Sequence, residues 1–367
     1  MSTNASSSPV LSLLIPIYNV ERYLCECLDS ALAQTLEDIE IICINDGSTD
    51  SSPDIIRKYM ERDERVKMID KANSGYGDSM NRGLEMAHGK YVGILESDDF
   101  MAPDALEKLV GAAERFGADF AKANFDLYWS KPKERRELME LFKVKECNKP
   151  VCPSDTVDAF SLKPSIWSAV YCREFLNRNN IRFLPTPGAA FQDASLTFKV
   201  FALADTAVYL HDSVLSYRQD NEGSSVNSPN KVHCVNDEYA EIHRWIVEDY
   251  AETHAPQDVS KLLRFANIIK YDSYMWSYIR LNPKFYAEFL DRMAQEFRGA
   301  LEAHEFELRD LKPWKRANLK AIVDDPQKWL AESSGFAGAG AMGRAKHYVR
   351  VGGPGVVAAF VLDAIKK

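Results

Sequence analysis

The feature that most constrains this 367-residue chain is an alternation of short apolar runs with helix-like segments over its first third. Residues 11–15, 39–44, 66–69, 91–95 and 119–124 read as strands: each is a short, mainly apolar run bounded by turn residues. Between the first two, Val20, Leu24, Leu28 and Leu32 recur at helical spacing, with Pro16 ending the strand and Asn19 placed as the helix cap. Further helices are expected over 53–60, from the Gly-rich loop at 73–77 to Met86, and over 103–116. The last has proline in its first turn and Gly117 just past its end. Such β-α alternation implies an α/β fold, a mostly parallel central sheet with helices on both faces.

Sheets of this kind bind ligands beyond the carboxyl ends of their strands. Every polar cluster here follows a strand: Tyr18-Asn19, Asp46-Gly47-Ser48, Asn73, and Glu96 with Asp98 and Asp99. They are expected to converge on one rim. Three carboxylates at the end of an apolar strand repel one another and are costly to desolvate. A hard divalent cation removes that cost, and Mg²⁺ sites commonly combine one or two carboxylates with substrate phosphates. Asp99 taken alone reads equally well as a helix cap.

Other classes fall away. A net charge of −9 argues against a general nucleic-acid binder. Gly75, Gly77 and Gly83 lack the dinucleotide-binding spacing, and no G-x-x-x-x-G-K-[ST] exists. Seven cysteines without a C-x-x-C pair argue against a disulfide framework or structural zinc and fit a reducing cytoplasm. Residues 1–9 lack signal-peptide features, and no apolar run reaches about 18 residues. The expected organisation is a disordered tail at 1–9, an α/β domain at 10–229, a helical domain at 230–334, and a Gly-rich linker with an apolar, basic segment at 335–367. The charged stretch SKPKERRELME lies in an irregular surface excursion over 125–165. The C-terminal segment suits a peripheral contact with the inner face of the cytoplasmic membrane, and the aromatic-rich helices suit a homodimer.

The chain resembles family 2 glycosyltransferases of the GT-A fold. The residues that carry the resemblance are IPIYN (15–19), NDGSTDSS (45–52), NSGYGDSMNRGLEMAHGKYV (73–92), ILESDD (94–99), IWSAVYCREFL (166–176), FQDASLTFKV (191–200) and LSYRQDNEGSS (215–225). Their order and spacing match over roughly residues 10–225. The resemblance implies an inverting enzyme that moves a sugar from a UDP-sugar to a hydroxyl of a glycan or lipid-linked acceptor in surface-polysaccharide synthesis. It implies a uridine pocket at Pro16, Tyr18 and Asn19, with Asp46 on the uracil edge and Asn73 beside the nucleotide. Mn²⁺ or Mg²⁺ would sit at Asp98, with Glu96 on the ribose or a metal-bound water, Asp99 nearer the sugar, and His211 as a third candidate ligand. Arg218, Ser224 and Ser225 would close on the diphosphate. Asp193 would be the general base, with Trp167 and Gln192 on the acceptor side. The chain departs from the family in three places: Glu96 stands for an Asp, Gln192 for a Glu, and Ala169 for a frequent Lys. Local readings compete: Asp193 as a helix cap, Trp167 as core, His211 as a satisfied structural histidine, Arg218 as a surface residue. The alternative for the whole is a sugar-nucleotide-binding module without turnover.

Overall fold

The computed structural model describes residues 8–189, 191–221, 231–333 and 341–365. The chain divides into two units, 1–223 and 224–367.

The first unit opens as the alternation requires: β1 (Leu11–Ile17), α1 (Glu21–Leu32), β2 (Ile39–Asp46), α2 (Ser52–Arg62), β3 (Val66–Lys71), α3 (Tyr76–Met86) and β4 (Tyr91–Ile94). There follow β5 (Phe100–Met101), α4 (Ala105–Phe116), β6 (Phe120–Trp129), β7 (Arg135–Met139), β8 (Pro150–Val151), α5 (Val157–Phe160), β9 (Ala169–Cys172), α6 (Arg173–Arg178), α7 (Gln192–Leu203) and β10 (Ala207–Arg218). The strands form one sheet in the order β3-β2-β1-β4-β9-β6-β10-β5, with β7 on β6 and β8 on β10. β1 to β4 pair in parallel. β9 runs antiparallel to both β4 and β6, so β6 points the same way as β4, and β10 is parallel to β6. The carboxyl ends of β1, β2, β3, β4, β6 and β10 therefore share one rim. β1 and β2 are buried along their whole length, which is why they read as unbroken apolar runs rather than alternating ones.

Four expectations are corrected. β1 does not end at Pro16 but runs to Ile17. Leu14 accepts from Leu95 on the β4 side, and Pro16, two residues on, faces that side beyond the end of β4. Its missing N–H therefore costs no ladder bond. Asn19 is not the helix cap: Val20 takes that place, and Asn19 adopts φ +50. Pro103 precedes α4 instead of opening it, while Gly117 does close it in the left-handed region at φ +59. The excursion after 125 is regular at first, since β6 continues to Trp129 and turns back into β7.

The second unit is helical: α8 (Cys234–Arg244), α9 (Pro256–Tyr278), α10 (Tyr286–Glu302), α11 (Pro313–Asp324), α12 (Pro326–Glu332), α13 (Ala341–Gly352) and α14 (Pro354–Ile365). Tyr271, Tyr274, Tyr278, Phe289, Phe297 and Trp329 fill its core. Buried Asn318 on α11 donates to the Tyr271 hydroxyl and accepts from the Trp329 indole at 3.0 Å, with His347 at 2.7 Å. One satisfied polar group thus ties together α9, α11, α12 and α13, a geometry that an apolar residue would not specify. Burial pushes the His347 imidazole down to about 4. Among the described residues, no helix is long and apolar enough to cross a membrane.

Candidate active site

At the ends of β1 to β3 the rim is tightly cross-linked. Asp46, buried at the tip of β2, accepts the backbone N–H groups of Ser74 (2.8 Å) and Gly75 (3.0 Å) and pairs with Lys71 from the tip of β3. Lys71 also reaches Asp78, which pairs with Arg82 at 2.9 Å. Asp46 therefore braces the 73–75 loop. Asn73 lies exposed on that loop. The Asn19 Oδ1 accepts the Thr49 N–H at 2.8 Å, joining the β1 and β2 loops. Tyr18 keeps 54% of its surface exposed, an aromatic face at the rim free to stack on a base. Pro16 lies inside the sheet beneath it.

The end of β4 is different. Glu96 accepts the Tyr76 hydroxyl at 2.6 Å, and Asp98 accepts the Asn221 amide at 2.7 Å. Asp99, 1% exposed, accepts the Arg218 N–H at 2.8 Å through Oδ1, while its Oδ2 has no partner among the described residues. Desolvation pushes the Glu96 carboxyl up to about 8 against the pull of Tyr76, with Asp98 and Asp193 adding like-charge repulsion. Desolvation and Asp98 together hold the Asp99 carboxyl well above its ordinary range.

Arg218, beside this cluster, pulls the Asp99 carboxyl down but does not offset its burial. Arg218 is 5% exposed, contrary to a surface residue. Its Nε donates to the Asp98 carbonyl at 2.9 Å, and its Nη2 pairs with Glu26. The guanidinium lies 4.7 Å from the Tyr23 ring and 5.0 Å from that of Tyr128. Its Nε and Nη2 are engaged inside the protein, while its Nη1 stands 3.9 Å from Asp220. It shapes the turn that carries Asp98 and Asp99.

His211 is also corrected. It sits on β10 seven residues before Arg218, roughly 20 Å back from the rim at the rise of a strand, and its ring meets Glu140 at 3.0 Å. Among the described residues no three His, Cys, Asp or Glu side chains enclose a metal position by themselves. A hard cation nonetheless fits the tip: the available donors are carboxylate oxygens, they are crowded and under-compensated, and one buried oxygen is orphaned. Asp98 and Glu96 would supply protein ligands and a diphosphate the rest. Ser224 and Ser225 lie outside the described residues.

Asp193 stands in the first turn of α7. Desolvation pushes its carboxyl up to about 6, held from rising further by its own N–H, that of Ala194, and the charges of Lys163 and Lys122. Acid–base work near neutrality favours such a value. Gln192 is buried, and its amide donates to Thr186 Oγ1 at 2.9 Å. That bond holds the 184–188 segment, which lies directly on the 75–77 loop. Tyr76 N–H donates to the Gly188 carbonyl at 2.9 Å. Gly75 has φ +97, and a Cβ at Gly77 would stand 2.1 Å from the Leu184 carbonyl oxygen. Trp167 is 7% exposed and stacks on Tyr217 at 4.9 Å with Phe125 edge-on at 4.4 Å, so the core reading describes its ring.

Two lysines near Asp193 carry no sequence signature. Lys122, fully inside the sheet, donates to the Ser165 carbonyl and to the hydroxyls of Ser165 (2.9 Å) and Ser168 (3.2 Å). Burial lowers its ammonium to about 7. Lys163 stands 4.4 Å above the Tyr217 ring and 5.2 Å from that of Phe125. Nothing in the local pattern SLKPSIW distinguishes it from a loop lysine; only the fold brings it here.

Residues 12–163 match the model of glycosyl transferase family 2. The uncharacterized glycosyltransferase EpsJ of Bacillus subtilis is 31% identical over 61% of this chain and 64% of its own length. Glycosyltransferase GlyG of Streptococcus pneumoniae is 28% identical over 72% of this chain and 87% of its own. The chain spans less than two thirds of EpsJ and 30% of the pneumococcal glycosyltransferase GlyA. The crystal structure of S. aureus TarS 1–349 in complex with UDP-GlcNAc superposes with a TM-score of 0.69 at 19% identity, covering 88% of this chain and 91% of that one. The shared fold is GT-A.

Proposed function

Because the chain belongs to glycosyl transferase family 2 through residues 12–163, we propose that it transfers a sugar from a UDP-sugar to a hydroxyl of a glycan or lipid-linked acceptor, with inversion. The observation that carries the reading is the under-compensated acidic tip at Glu96, Asp98 and Asp99 on the same rim as the Asp193 carboxylate. Tyr18 stacks on the base, and the loop braced by Asp46 borders the nucleotide. Asp193 accepts the proton of the acceptor hydroxyl while that oxygen bonds to the anomeric carbon and the carbon–oxygen bond to UDP breaks on the opposite face. Asp98 and Glu96 would hold Mn²⁺ or Mg²⁺, which would supply positive charge for the leaving diphosphate.

The test is a panel of UDP-sugars with Mn²⁺ or Mg²⁺. The true donor raises the melting temperature by mass action and releases UDP on turnover. Asp193→Asn is expected to keep donor binding and lose about 10²- to 10⁴-fold in turnover. Asp98→Ala is expected to lose the metal-dependent part of donor binding. Binding by the wild type with no turnover, matched by Asp193→Asn, would instead support a sugar-nucleotide-binding module.

A further inference from the structure

Two features have no part in the mechanism above: the basic turn between β6 and β7, and Lys163. In a chain of net charge −9, residues 131–136 hold Lys131, Lys133, Arg135 and Arg136 against the single acid Glu134. All are exposed. The turn follows the carboxyl end of β6 and so stands on the rim of the acidic tip. Its root is fastened there: the Ser130 N–H (2.8 Å), the Ser130 hydroxyl (2.6 Å) and the Lys131 N–H (3.0 Å) all donate to Asp220. The next residue, Asn221, donates to Asp98. Lys131 and Lys133 have no ion-pair partner among the described residues. Arg135 lies on the Trp129 ring at 3.7 Å without a carboxylate of its own.

The Lys163 ammonium is kept over aromatic faces, 4.4 Å from Tyr217 and 5.9 Å from Trp167. It has no hydrogen-bond acceptor among the described residues, although the residue stays open to solvent. The carboxylates it acts on are Asp193 first and Asp99 second. Its field thus reaches both Asp193 and the acidic tip, and its N–H donors are unspent among the described residues. Moderating the Asp193 carboxyl uses the field of this cation but none of its N–H donors. An anionic acceptor, arriving without it, would face only the carboxylates of Glu96, Asp98, Asp99 and Asp193.

We propose that the acceptor is anionic: a saccharide or polyol with a carboxylate or phosphate near its reacting hydroxyl, that group held by Lys163 and attracted to the rim by the β6–β7 turn. The inference rests on the transferase reading above. Charge-assisted bonds of this kind are the strong ones and depend on ionic strength where they are exposed.

The experiment follows UDP release from the donor with paired acceptors: methyl glucuronide against methyl glucoside, and glycerol 1-phosphate against glycerol. The first pair reports a carboxylate and the second a phosphate. The wild type is expected to favour one anionic member about tenfold or more in kcat/KM, with added NaCl raising KM for that member alone. Lys163→Met abolishes the preference and Lys163→Arg keeps most of it. Lys131→Gln with Lys133→Gln flattens the salt dependence. Equal use of charged and neutral acceptors by the wild type, or a Lys163→Met loss shared equally by both, overturns the inference while leaving the transferase reading intact. The wild-type preference and its salt dependence decide the matter even where Lys163→Met fails to fold. Absence of UDP release with every donor overturns the transferase reading, and this inference with it.

Discussion

Two acidic clusters stand on the same rim of the same sheet, and they are built on opposite terms. At the ends of β2 and β3, Asp46 and Asp78 are met by Lys71, Arg82 and two backbone N–H groups. At the end of β4, Glu96, Asp98 and Asp99 receive a phenol, an amide and one backbone N–H, and among the described residues one buried oxygen receives nothing. The first cluster is complete in the protein alone and acts as a brace. The second is incomplete among the described residues, and desolvation pushes the Glu96 and Asp99 carboxyls up further than the nearby donors and charges pull them down. Charge count alone does not separate a structural cluster from a binding one; compensation does.

The largest effect is expected from breaking the brace. The Lys71 and Asp46 side chains are only 7% and 8% exposed. Lys71→Met leaves a buried carboxylate unpaired and should cost about 3–5 kcal/mol in urea melts. A loss below about 1 kcal/mol would mean that the two clusters do not differ in kind.

A middle-sized effect follows from pH. The folded Glu96 carboxyl titrates at about 8, above its ordinary 4.5. A raised carboxyl contributes stability that is full below the lower value and lost as pH rises through the higher one. In EDTA the melting temperature should therefore fall between about pH 5 and pH 8. Glu96→Gln should flatten part of that fall, and UDP with Mn²⁺ should do so in the wild type. A flat wild-type profile in EDTA would show the tip to be compensated already.

The smallest effect is expected at His211. Paired with exposed Glu140 away from the rim, it should tolerate His211→Ala within about 0.5 kcal/mol, with metal-dependent donor binding unchanged. Loss of that dependence would return His211 to the metal.

The strands and the acidic tip were legible because burial on both faces leaves unbroken apolar runs, and a carboxylate at the end of such a run is conspicuous. Asp193 was singled out only by the family resemblance; its place in the first turn of α7 would by itself read as ordinary helix-end chemistry. Pro16 misled because proline inside a strand reads as a stop; which side of β1 is unpaired at that point depends on where β4 ends. Arg218 reads as a surface residue because the pattern LSYRQD says nothing of Glu26, 192 residues earlier, which pairs with its guanidinium. Lys122 and Lys163 are brought together through the insertion of β9 against the chain order between β4 and β6. That long-range placement has no periodicity to reveal it.

The 184–188 segment resting on the backbone of residues 75–77 has a mechanical corollary. With no room for even one extra carbon between Gly77 and Leu184, neither strip can shift without carrying the other. Gly77→Ala would have to push the two backbones apart, and the disturbance would reach the contacts of Asp46 with Gly75 and of Gln192 with Thr186 together.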